Sequence, residues 1–141
     1  VNAAEFAALT GRCLGALRRP LRAVPLLVPA LVPTAGHRRA GIYGAWLARC
    51  YLDLGELEEA CRVAEEALLA VLRSGSARAA GELAAVRRRL APFADEPVVR
   101  RHVELVASVG PYLPALPESV AGSQNPGGVP TGGRGDRGLH R

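Results

Sequence analysis

Slid along itself by 37 positions, the chain falls into register with its own first half, and no other feature constrains the fold as strongly. Phe6 meets Tyr43, Ala8 meets Ala45, Leu9 meets Trp46, Arg12 meets Arg49, Cys13 meets Cys50 and Leu14 meets Tyr51. Further on, Leu17 meets Leu54, Ala23 meets Ala60, Ala30 meets Ala67 and Leu31 meets Leu68. Aromatic falls on aromatic, small on small and apolar on apolar, which is what a shared packing environment selects. A period of roughly 20–50 residues marks chains built by stacking one helical unit on the next. On this reading Cys13 and Cys50 are equivalent small core positions rather than reactive thiols.

Between positions 42 and 69 every third or fourth residue is apolar, the period of an amphipathic helix. The stretch LDLGELEEA interrupts that pattern with Gly55. Glycine takes a left-handed or tight turn at little cost, so Gly55 is read as the reversal between two antiparallel helices. Such helices approach closely only where side chains are small, and Ala48, Ala60 and Ala67 are expected at the crossing, with Tyr51 filling the space beside them. The first unit is poorer. A helix over 4–17 is acceptable, but Arg18 stands where the turn glycine belongs, and Pro20, Pro25 and Pro29 predict a short or kinked second helix. Ser76 is placed to cap a helix over 77–90 with Ala79, Leu83, Val86 and Leu90 inward and its arginines mostly outward. Asp95 is placed to cap a last helix with Pro97 in its first turn and Val99, Val103, Val106 and Val109 on one face. The expectation is an all-α domain over 3–109, a helix-hairpin solenoid with repeats at about 4–32, 41–72 and 76–109. From 110 to 141 Pro, Gly and Ser dominate, which predicts a disordered tail. Arg134-Gly135-Asp136 in that tail is read as chance.

Composition narrows the function classes. All 18 basic residues are arginine, methionine is absent and Ile42 is the one isoleucine, the usage of a GC-rich, actinobacterial genome. A chain without an initiating methionine is expected to be a fragment or to begin at a Val-decoded start. The net charge of +5 is unevenly spread: residues 1–40 carry +5, 41–72 carry −4 and 73–91 carry +4. An acidic middle breaks any continuous basic face of the kind that tracks nucleic acid. The helix after Gly55 bears Glu56, Glu58, Glu59, Glu65 and Glu66 against Arg62 alone, so it is a poor DNA reader. His37, His102 and His140 are scattered, the cysteines lack metal or redox spacing, and Glu58-Glu59 and Glu65-Glu66 are adjacent rather than convergent. No catalysis, metal or cofactor is expected. Glu5 and Arg12 interrupt any signal sequence, and the longest apolar run, 24–35, is broken by three prolines and too short to span a bilayer. A cytoplasmic location without membrane contact follows as the expectation.

The segment AWLARCYLDLGELEEACRVAEEAL resembles a tetratricopeptide repeat, with Leu47 and Ala48 at its Leu-Gly positions, Tyr51 at its tyrosine, Gly55 at its turn glycine, and Ala60 and Ala67 at its small second-helix positions. Gly44 replaces the usual tryptophan and Ala64 an aromatic. With SARAAGELAAVRRRLAPFADEPVVRRHVELVASV, residues 3–109 resemble the C-terminal domain of actinobacterial helix-turn-helix regulators of the phage-repressor-like class. That resemblance implies a sensing or oligomerising half, with a homodimer as one arrangement, which meets DNA only through an upstream domain. It also implies a concave groove lined by the first helix of each repeat, with Arg12 and Arg49 at the same groove-facing position, about 10 Å apart. Guanidinium forks hold carboxylates bidentately, which fits an acidic peptide or protein ligand, with Trp46 either a groove anchor or a core residue. Solvation of the two arginines, or pairing with Asp53 and Glu5, is the alternative at that point. For the whole chain the alternative is a free-standing adaptor.

Overall fold

A computed structural model describes residues 2–31 and 36–116. The expected tail beyond 116, with Arg134-Gly135-Asp136 and His140, lies outside the described residues, as does the end of the first repeat at Val32. The described chain forms six α-helices: α1 (Ala3–Ala16), α2 (Pro20–Leu27), α3 (His37–Asp53), α4 (Leu57–Ser74), α5 (Ala77–Leu90) and α6 (Pro97–Val109). α1 packs on α2 and α3 on α4, and α3 also touches α1, α2 and α5. That central position explains its composition, since every residue from Gly41 to Ala48 is buried and a helix apolar all round is one surrounded by others.

The two helix pairs end their first helices with the same bonds, 37 residues apart. After α3, the Gly55 amide donates to the Leu52 carbonyl and the Glu56 amide to Tyr51; after α1, Arg18 donates to Gly15 and Arg19 to Leu14. Both are left-handed caps in which the turn residue satisfies the helix's last carbonyls. Gly55 takes φ +75° without strain, whereas Arg18 is forced to φ 59°. Gly55→Val is therefore expected to lower stability by about 1–3 kcal/mol, the cost of a side chain in a disfavoured backbone region. Arg18→Gly should raise it by about 1 kcal/mol, because the ion pair it loses is mostly in water. Opposite shifts of the thermal midpoint would check the pair; equal shifts would deny the shared turn.

All three crossing alanines, Ala48, Ala60 and Ala67, are buried, and Tyr51 packs half-buried against the core. The helices also come close at Gly44, where an added Cβ would stand 3.0 Å from the Ala67 Cβ. Gly44, which departs from the tetratricopeptide pattern in sequence, thus helps α3 and α4 to meet.

Four expectations need correction. Cys13 is exposed while Cys50 is buried. Their neighbours follow suit, Phe6 being 67% exposed against 8% for Tyr43, and Leu9 47% against 4% for Trp46. α1 covers that face of α3, and no described helix covers the same face of α1. Second, Glu96 rather than Asp95 occupies the cap position of α6, without a side-chain bond, and Pro97 opens the helix. Third, Val103 is exposed and His102 takes its place with Val99 and Val106 in the core. Fourth, the packed body continues past 109: Gly110–Tyr112 form a 3-10 turn and Leu113 rests on the core. Two local signals agree with the structure. Ser76 Oγ accepts from the Ala79 amide at 3.2 Å and caps α5, and α2 is a single eight-residue segment that contains Pro25.

His102 is fully buried, and neither ring nitrogen has a hydrogen-bond partner among the described residues. Burial pushes its pKa below the ordinary 6.5; Glu65 of α4 opposes this and Arg87 of α5 adds to it. The folded state holds the neutral ring, so as pH falls through about 6.5 the unfolded chain takes up the proton first. Stability from this residue is full above that pH and is lost between it and the depressed folded value. A melting midpoint that drops from pH 7 to pH 5, and drops less in His102→Leu, is the expected result. The leucine variant should also be about 1 kcal/mol more stable at pH 7, since it removes buried polar atoms without partners.

Candidate ligand-binding cleft

A cleft of about 210 Å³ lies between α1, α3 and α5. Its walls are Arg12, Gly15, Ala16 and Arg18 from the α1 end, Trp46, Arg49, Cys50 and Asp53 from α3, and Arg89 from α5. All four residues that sequence placed in a groove, Arg12, Arg49, Trp46 and Asp53, line it together. Arg18 and Arg89 were not singled out as groove residues. Arg18 reaches the cleft because of its left-handed turn. Arg89 belongs to a run of three arginines that reads as a solvated face, and only the packing of α5 on α3 turns it inward.

Each side chain has a distinct role in the geometry. Trp46 is 4% exposed and forms the floor, with Tyr43 tilted beside it at a ring separation of 5.4 Å. The Arg12 guanidinium lies 4.9 Å from the indole centroid, a cation–π contact. Trp46 is therefore a core residue by burial and a cleft residue by the face it shows. Asp53, whose side chain is 6% exposed, is the hub. Arg89 donates to its carboxylate, and Arg18 approaches the same oxygen at 3.2 Å. The second Arg89 amine donates to the Arg49 carbonyl at 3.3 Å, which fastens α5 to the end of α3. Arg49 stands 3.7 Å from Glu82, and Glu5 pairs with Arg39 at the far end of α1. Asp53 thus pairs with Arg18 and Arg89, while Arg12 has no carboxylate partner among the described residues.

Four guanidiniums line the cleft with the one carboxylate of Asp53, and Glu82 stands near one of the four, Arg49. Such a site favours an anion, and its buried floor lowers the local screening that would weaken the attraction. Cys50 adds no nucleophile. Burial and the Asp53 carboxylate push its thiol up, against the pull of Arg49 and Arg89, so it stays protonated. Among the described residues no group of three His, Cys, Asp or Glu could hold a metal ion, and no helix is long and apolar enough to cross a membrane. The acidic face of α4 is tied within itself, with Arg62 bonded to Glu59 and Glu66 at 3.0 and 2.9 Å. Compared with protein-family models, curated proteins and solved structures, the chain matches none.

Proposed function

We propose that the protein is an interaction domain of the tetratricopeptide type whose arginine cleft captures an acidic peptide segment or a peptide C-terminus. The observation that carries this is the convergence of Arg12, Arg18, Arg49 and Arg89 over the Trp46 floor, from α1, α3 and α5. Planar forks on separate helices suit carboxylates that arrive at several angles, as along an extended peptide. The matched caps at Arg18 and Gly55 support a helical-repeat solenoid, in which such grooves are the binding surface.

The domain is further proposed to be the sensing half of a transcriptional regulator whose DNA-binding domain lies outside these residues. What supports this is the run from Ser76 through Leu90-Ala91-Pro92 to the valine-rich α6, together with an α4 too acidic to read DNA itself. Peptide capture would then alter how that partner domain meets DNA. A helix-turn-helix encoded directly upstream of Val1 would support the link, and an unrelated domain there would end it.

Peptide capture has a direct test. Fluorescence anisotropy with a peptide ending in Asp-Glu, compared with its Asn-Gln and C-terminally amidated forms, should rank the acidic free-ended peptide first. Reversing Arg12 and Arg49 together to glutamate should weaken it about a hundredfold, as loss of two charge-assisted contacts implies. Binding that survives the double reversal in a folded variant refutes the cleft as the site.

A further inference from the structure

α5 leans on α3 while α6 leans on α4, and the two helices hardly touch each other. The expected third hairpin is therefore splayed. A cavity of about 300 Å³ fills the wedge, lined by Leu68 of α4, Ala80, Leu83 and Arg87 of α5, Val106 of α6, and the stretch that begins at Leu113. The side chains that line it are aliphatic apart from one charge. Arg87 is half-buried there, and among the described residues no carboxylate lies within ion-pair distance of it. Glu65, which faces His102 together with Arg87, does not pair with it either.

A guanidinium held against apolar walls without a counter-ion is under-compensated, because the interior screens poorly and hydration is reduced. An anion placed in the cavity would restore the missing partner, and Arg takes a carboxylate with two parallel bonds. The aliphatic remainder of the wall calls for an apolar body attached to that anion. Liquid water occupies about 30 Å³ per molecule, so the space holds roughly ten heavy atoms. We propose that this cavity binds a medium-chain monocarboxylic acid, its carboxylate on Arg87 and its chain against Leu68, Leu83 and Val106. Such a ligand would bridge α4, α5 and α6 and stiffen the end of the domain. The site shares no residue with the arginine cleft, so each can fail without the other.

Octanoate, with ten heavy atoms, is the probe, and calorimetric titration and the melting midpoint of the full chain are the readouts. Octanoate should bind and raise the midpoint, 1-octanol should bind at least tenfold more weakly, and acetate should not bind. Arg87→Gln should weaken octanoate about tenfold or more while leaving acidic-peptide binding unchanged. Ala80→Leu, which fills the cavity with its own side chain, should abolish octanoate binding with the fold retained. Octanoate affinity unchanged in Arg87→Gln overturns the proposal, as does octanol binding as well as octanoate, acetate binding as well as either, or no binding to the parent chain.

Discussion

Gly44→Val is expected to destabilise the domain by about 3 kcal/mol, the upper range for forcing extra atoms into a packed helix contact. At 3.0 Å from a would-be Cβ, the Ala67 methyl is fixed on α4 and cannot swing aside. Adding Cβ and two methyl groups must push α4 off α3 along the largest helix–helix contact among the described residues. Alanine at the same position is a useful control. Its helix propensity exceeds that of glycine by about 1 kcal/mol, which offsets a slight shift of α4, so Gly44→Ala should leave stability near that of the parent. Urea unfolding of the two variants would check this. Valine tolerated as well as alanine would mean that α3 and α4 do not cross this closely.

Asp53→Asn carries the second large effect, and it runs in opposite directions for stability and binding. Removing the carboxylate leaves Arg89 and Arg18 without their shared counter-ion. Breaking a buried pair by deleting one partner costs about 3–5 kcal/mol, but the Arg89 side chain is one-third exposed, so about 2 kcal/mol is the better expectation here. The cleft, by contrast, loses its one internal competitor for the guanidiniums. Affinity for the acidic peptide should rise several-fold in the same variant, and its dependence on salt should steepen. Tm and peptide titrations on one preparation would show both. Lower affinity alongside lower stability would mean that Asp53 orients the arginines for a ligand rather than competing with it.

Much of the architecture could be read from residues near one another in the chain. Gly55 marks a reversal because a positive φ is cheap for glycine alone, and Ser76 marks a start because its hydroxyl can take an orphan amide; neither needs a tertiary partner. The 37-residue register likewise predicts that Arg18 turns as Gly55 does, and it does so at φ 59° against its own preference. Arg12 and Arg49, which line the cleft with Trp46 and Asp53, were expected on one surface because the tetratricopeptide resemblance gives them the same groove-facing position. Arg89 was not, since its neighbours Arg87 and Arg88 give it the look of a solvated face. Val103 and His102 exchanged places because a helix of alternating valines and charges leaves its phase undecided until α4 is there to pack on.

By itself the sequence determined the helical class, the turn at Gly55 and the helix start at Ser76, all set by short-range backbone preference and the 3.6-residue period of apolar side chains. The tertiary structure alone decided which face of each helix is covered. It buried Cys50 and left Cys13 in water, brought Arg89 across to Asp53, and opened the wedge beside Arg87. Those outcomes depend on contacts between residues tens of positions apart, where burial and charge pairing outweigh local preference and no periodicity in the chain records the result.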